Sequence, residues 1–342
     1  MSDLTSLALE MIKESLDETY KGKYAFDSFS VKAANEVKLD GKTCVDIDVS
    51  VNMTLTQNPA DSSYSKGMKK AYSGLVLDRE KDSAKTVIEA CSDDAGDCYA
   101  KPQPTSILYR LAVDDEFASS GAKDACRLYS RVDIVSSETI LTPVGEVRLK
   151  SEDYYFALGE SQIDHLAVLP AAAASRAPLK YNRLAARDYA KLHGPDAPEL
   201  SKSIGQSDCA NFVSKSVNSG NIPEDPAGGW YRCKTYGNFY TGGVNWFRTG
   251  YYRQSNGVYE GVATYLARKG YFYQASSVSS AFAGGILFVT NASHVALVTY
   301  GDTVVVKYTD HSNIKVSHVD VLLQPSNYLY RCKFFLPVGS LM

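Results

Sequence analysis

From Val45 to Leu55 the chain alternates without a break. Val45, Ile47, Val49, Val51, Met53 and Leu55 are apolar, and Asp46, Asp48, Ser50, Asn52 and Thr54 separate them. A period of two places each set on its own face of a strand, whereas a helix would scatter both sets around its axis. The stretch therefore predicts a strand with one dry face and one wet face, as in an antiparallel sheet covered on one side. Residues 3–20 read as an amphipathic helix, capped by Asp3, with Leu4, Leu7, Ala8, Met11, Ile12 and Leu16 in one stripe. Lys66 to Glu89 reads as a strand followed by a helix. Ile107–Val113, Leu128–Ile134, Ile140–Lys150 and Tyr154–Leu158 read as further strands. One helix followed mostly by antiparallel strands predicts an accessory domain of small α+β type over residues 1–168. Nothing in it forms a recognisable catalytic set, and its acidic clusters, Asp114-Asp115-Glu116 and Glu152-Asp153, read as solvated loops.

A chain of 342 residues is long enough for two domains, each with its own core. Residues 169–178, Leu-Pro-Ala-Ala-Ala-Ala-Ser-Arg-Ala-Pro, are low in complexity and contain two prolines, so they read as an interdomain linker. The second domain is expected over residues 179–342. Its first helix runs from Tyr181 to Leu192 and ends at Gly194-Pro195. Residues 221–255, rich in Gly, Tyr and Trp, read as a long loop, Val258–Lys269 as a helix, and Ile286–Leu336 as the strand region.

The chemistry-bearing stretch of this domain is Ser207-Asp208-Cys209-Ala210-Asn211-Phe212-Val213-Ser214. A helical pattern follows Cys209 at once and stops at Gly220-Asn221 with Pro223 beyond. A cysteine in the first turn of a helix faces unpaired N–H groups and the positive end of the dipole, which favour a thiolate. The plainer reading is a buried, inert cysteine that packs as a small hydrophobe. What argues for chemistry is the downstream company. His294 stands at the mouth of the apolar strand Val295–Tyr300, Gly301-Asp302 makes a turn, and Thr303–Tyr308 returns as a second strand ending in Thr309-Asp310-His311-Ser312-Asn313. Pairing across that turn brings residues 309–311 near His294. Nucleophile, base and orienter are then Cys209, His294 and a polar residue of the returning strand, for which His311 is the first choice and Asp310 and Asn313 are rivals.

The motifs Tyr181-Asn182-Arg183-Leu184-Ala185-Ala186, Asp208-Cys209-Ala210-Asn211-Phe212-Val213-Ser214, Trp230-Tyr231, Asn245-Trp246, Gly284-Gly285, Ser293-His294-Val295-Ala296-Leu297-Val298-Thr299 and His311-Ser312 resemble the putative amidase domain family. The resemblance covers residues 178–336. That family is similar to the NlpC and CHAP cysteine hydrolases, papain-like enzymes that often cut cell-wall peptides. Its members usually carry Gly-Asp where this chain has Gly284-Gly285, and His-Thr where it has His311-Ser312. The resemblance implies a papain-like α+β domain of NlpC type and cysteine-dependent hydrolysis of an amide bond, with peptidoglycan peptides as substrate and no cofactor or metal. Asp208, Asn211, Trp230, Trp246 and Ser293 of these motifs are the expected substrate-binding residues. Cysteine attack would give a thioester, with the Cys209 N–H and a neighbouring donor holding the oxyanion. An acyltransferase or transglutaminase would use the same pair. A non-catalytic surface-binding protein would lack the cysteine or the histidine, and neither is missing.

Composition narrows the partners. A net charge of −3 with no Lys/Arg block gives no footprint for nucleic acid. No apolar run approaches the roughly 18 residues that cross a bilayer, and the N-terminal residues lack the basic start and apolar core of a signal peptide. Of seven cysteines, six remain once Cys209 is set aside. That parity suggests an oxidising compartment, hence secretion or attachment to the cell wall, with bridges 91–98, 233–332 and 44–126. The Asp-rich residues 91–98 read as a turn closed by the first of these; they fit neither zinc nor EF-hand calcium spacing. His165, His193 and His318 have no such company and read as structural or exposed.

Overall fold

The computed structural model describes residues 3–39, 42–114, 125–135, 138–167, 181–200, 208–232, 234–236, 239–250, 252–254, 257–275, 281–290, 294–302, 304–313, 316–324 and 332–338. It is a mixed α+β structure built on one large sheet. Helix α1 (Asp3–Tyr20) leads into β1 (Tyr24–Leu39) and β2 (Lys42–Leu55), a long antiparallel hairpin. Helices α2 (Ser63–Gly74) and α3 (Asp78–Cys98) precede strands β3 (Gln103–Val113), β4 (Cys126–Val135) and β5 (Glu138–Pro143), and α4 (Glu152–Ala167) closes this half.

The second half opens with α5 (Arg183–His193) and α6 (Cys209–Ser219). Two short hairpins follow, β6 (Lys234–Tyr236) with β7 (Phe239–Thr241) and β8 (Tyr252–Gln254) with β9 (Gly257–Tyr259); α7 (Val262–Arg268) comes after them. The last strands are β10 (Phe272–Gln274), β11 (Ile286–Val289), β12 (His294–Gly301), β13 (Val306–Asn313), β14 (Val316–Leu323) and β15 (Cys332–Pro337). They form the order β14-β13-β12-β11-β15-β10, antiparallel throughout. A single parallel pairing, Val321 with Ser106, joins β14 to β3 and makes the two halves one eleven-stranded sheet.

The alternation at 45–55 does what its period requires. Val45, Ile47, Val49, Val51, Met53 and Leu55 are all buried, and Ala8, Ile12 and Leu16 of α1 lie in the same core. On the wet face, Arg110 and Arg131 pair with Asp46 and Asp48. In the second half every residue of β12 is buried. Val295 and Leu297 face α5, α6 and α7, while Ala296 and Val298 face α2, α3 and α4. A strand covered on both faces reads as a continuous apolar run, as Val295–Val298 does.

Several expectations are corrected here. Residues 63–74 form a helix, not a strand, because Tyr64, Ser65, Gly67 and Met68 bury one helical face. The stretch 154–158 also belongs to a helix. The two helices are pressed together at glycines: a Cβ on Gly67 would lie 2.1 Å from the Phe156 carbonyl oxygen, and one on Gly159 would lie 2.3 Å from that of Tyr64. Residues 91–98 are the end of α3 rather than a turn. Seven helical residues rise about 10 Å, too far for a disulfide, and Cys91 and Cys98 are free and buried. Cys44 and Cys126 form no disulfide with each other, since Cys44 lies opposite Ala112 on β3 and Cys126 opposite Val113 on that strand's other side. Cys332 is a free thiol, and Cys233 lies outside the described residues.

The expected linker, residues 169–178, also lies outside them. On either side of it the chain does not bury two separate cores. One cluster joins Met68, Val87 and Ile163 to Phe282, Val298 and Leu336, and another joins Ile47 and Leu111 to Tyr300 and Leu322.

Candidate active site

Helix α5 shows what the Tyr-Asn-Arg-x-Ala-Ala run is for. The buried Tyr181 hydroxyl donates to the Gly284 carbonyl oxygen at 2.8 Å. Asn182 caps the helix by accepting from the Ala185 N–H at 2.9 Å. Arg183, wholly buried, forms an ion pair with Asp94 of α3, and the other oxygen of Asp94 accepts from the Ala283 N–H. Ala186 and Ala190 have no exposed surface, which lets α5 lie close against α6. Gly284 has a φ of +84°, and a Cβ there would meet the Arg183 Cβ at 2.6 Å. A side chain is excluded at that point on both counts.

Helix α6 begins at Cys209, as the pattern predicts, and Gly220 follows its last residue. The preceding Asp208 does not cap it with its side chain. Its carboxylate turns instead to the Asn211 amide at 2.9 Å, to the N–H groups of Glu199 and Leu200, and to His311. Cys209 is 2% exposed, and its sulfur hydrogen-bonds the ring of His294, itself 3% exposed. The ring's Nε2 lies 2.8 Å from Asp310 Oδ2. Burial works against charge on His294, yet Asp310 and the Cys209 sulfur override it and push the ring up to about 10. Burial would likewise raise Asp310, but the imidazoles of His318 and His294 hold it well below the usual carboxylate range.

The orienter expected first, His311, is not beside His294. Its Nδ1 lies 2.9 Å from Asp208, its Nε2 lies 3.0 Å from the His193 carbonyl oxygen, and its ring stacks on Phe212. The rival Asp310 takes the position. The reason is a bulge in β12. Next to the turn Gly301 pairs with Val306 and Tyr300 with Lys307; unbroken, that register would put Ala296 opposite His311, on the face of His294. Beyond Thr299 it slips by one, so that Val298 pairs with Tyr308 and Leu297 with Thr309. Continued, the shifted register puts Ala296 opposite Asp310. A one-residue slip exchanges the faces of a strand. Asn313 ends β13, and its side chain lies outside the described residues.

Most of the expected substrate-binding residues are core. Trp230 and Trp246 have no exposed surface and their rings lie 4.7 Å apart. The Trp230 indole N–H donates to Ser214 Oγ and that of Trp246 to Asn211 Oδ1. Asp208 and Asn211 spend their polar atoms on each other and on neighbouring backbone and side chains, as buried polar groups must. Ser293 lies outside the described residues. The residue the sequence did not single out is His318. It is the cross-strand partner of Asp310, and its Nδ1 lies 2.9 Å from Asp310 Oδ1. Strand pairing across residues 313–316 was the signal that could have found it.

Residues 180–329 match the putative amidase domain family. The match supports an amidase-family domain in the second half of the chain, and Cys209, His294 and Asp310 all fall inside the matched stretch. No curated protein and no solved structure matches the chain. Among the described residues no helix is long and apolar enough to cross a membrane, and no group of three or more His, Cys, Asp or Glu could hold a metal ion.

Proposed function

We propose that the amidase domain is a cysteine hydrolase in which Cys209 is the nucleophile, His294 the general acid–base and Asp310 the orienter. The observation that carries this reading is the position of His294, hydrogen-bonded to the cysteine sulfur and to a buried carboxylate. A helix start bearing the cysteine, with histidine and aspartate on adjacent strands, is a nucleophile, base and orienter set. With the His294 ring pushed up to about 10, the imidazolium is favoured near neutral pH, and this reading assigns it a thiolate partner at Cys209.

The thiolate attacks the carbonyl carbon of an amide, and main-chain donors in the first turn of α6 hold the oxyanion. As the C–N bond breaks, His294 gives its proton to the leaving amine. The ring, now neutral, takes a proton from water as its oxygen adds to the thioester carbonyl; the C–S bond breaks, the acid leaves and Cys209 returns as thiolate beside the imidazolium. Asp310 fixes the ring and stabilises its charge throughout.

The substrate class proposed is the peptide of the cell wall. Incubation with purified peptidoglycan, followed by mass spectrometry, should release fragments bearing a new amine and a new carboxyl group. Cys209→Ala should release none. Release that survives this substitution refutes the cysteine mechanism, and intact peptidoglycan after incubation with wild-type protein refutes the substrate.

A further inference from the structure

Asp310 has two oxygens and an imidazole on each. His294 Nε2 stands 2.8 Å from Oδ2, and His318 Nδ1 stands 2.9 Å from Oδ1. All three side chains are nine-tenths or more buried. A carboxylate with one ring partner can turn about its C–C bond; one gripped at both oxygens cannot. The cross-strand pairing of Asp310 with His318 fixes the second grip through the backbone of β14. Among the described residues two further groups face His318. Asp133 of β4 acts on it from the N-terminal half and is itself paired with Arg131 at 2.9 Å, and the Tyr308 ring stands edge-on at 6.2 Å.

We propose that His318 is a positioning residue for the reaction, the outer member of a Cys209–His294–Asp310–His318 chain. It holds Asp310 in line with His294 and lends the cluster a positive charge. The proposal rests on the cysteine-hydrolase reading and deepens it. Burial works against charge on His318, and the Asp310 carboxylate overrides it, so the ring lies above its ordinary range. A cation at that place favours the thiolate and eases the loss of the His294 proton. It therefore sets where on the pH scale the pair is active, a role a merely packed histidine would not have.

The test is the rate of Cys209 alkylation by iodoacetamide against pH in the full chain, read by peptide mapping, which needs no substrate. His318→Gln keeps an N–H donor for Asp310 and removes the charge. Its plateau rate should match wild type, while the acid limb should move up by about one pH unit, a tenfold loss of rate at a fixed pH on that limb. Asp310→Asn removes a negative charge, so its limb should move the other way. His318→Leu, which also removes the donor, should lower the plateau too. Circular dichroism confirms that each variant is folded; if His318→Leu is not, His318→Gln against Asp310→Asn still decides the sign. A His318→Gln profile that superimposes on wild type overturns the proposal and leaves the hydrolase reading standing. A wild-type Cys209 with no thiolate plateau near neutral pH overturns both.

Discussion

The ion pair between Asp94 and Arg183 invites the most demanding test, because it joins the two halves of the chain where no water can reach. Both side chains are almost fully buried. Burial pushes the Asp94 carboxyl up even with the guanidinium beside it, so the interior is a poor medium for this charge. Replacing Asp94 by Leu strands Arg183. Its remaining partners would be the Ala90 carbonyl oxygen at 3.4 Å and Asp93 at 3.5 Å, the latter on a side chain that is largely exposed. Breaking a buried pair from one side costs about 3–5 kcal/mol, and the Ala283 N–H, which also loses its acceptor, adds about 1–3 kcal/mol. Against a typical total of about 5–15 kcal/mol, that is a large fraction of the stability. Urea denaturation followed by tryptophan fluorescence measures it, since both tryptophans lie in the amidase core. Arg183→Met alone should also destabilise. Asp94→Leu combined with Arg183→Met should recover at least half of the single-variant loss, because no charge is then stranded. A loss under about 1 kcal/mol for Asp94→Leu, or a double variant as unstable as the sum of the singles, would refute the argument.

Other consequences can be checked with the same protein. Iodoacetamide at neutral pH should modify Cys209 first, because burial pushes the Cys91 and Cys332 thiols up to about 12; prior labelling of either by peptide mapping would count against a thiolate at Cys209. Burial also raises Asp302 to about 6 against an ordinary 3.8, so its contribution to stability is full below about pH 4 and is lost as pH rises through 6. Melting wild type and Asp302→Asn at pH 5 and pH 7 should show a flatter pH response in the variant, by about 1.4 kcal/mol. Limited proteolysis should cut between about residues 168 and 180. The fragments should then co-elute in gel filtration, held by shared cores and the β3–β14 pairing; two folded pieces that separate would argue otherwise.

Much of the fold could be read from periodicity. The strand at 45–55, helix α1, helix α5 and the start of α6 at Cys209 all follow from local patterns that burial reinforces. Helix α2 could not be read that way. Its buried face consists of Tyr64, Ser65, Gly67 and Met68, and what drives it is glycine-to-backbone contact with a helix about ninety residues away. The shared sheet was equally hidden, since one parallel bridge leaves no mark on composition. Within the candidate site, the helix start at Cys209 and the strand start at His294 were legible. Which polar residue lies beside His294 was not, because a single bulge decides between Asp310 and His311. Tryptophan in a named motif suggested ligand contact at Trp230 and Trp246, where the structure has an indole pair buried in the same core as the Cys209 helix.

The bulge at Thr299 also has an evolutionary meaning. The hairpin of β12 and β13 holds an acid and an imidazole at successive positions, Asp310 and His311, and the slip decides which of them serves His294. Losing one residue here would bring the histidine round and swing the aspartate away, with no change to either side chain. Third members of different chemical type can thus arise in such hydrolases by a one-codon deletion or insertion rather than by substitution. Sequences aligned column by column would record that exchange as a gap beside two unchanged letters.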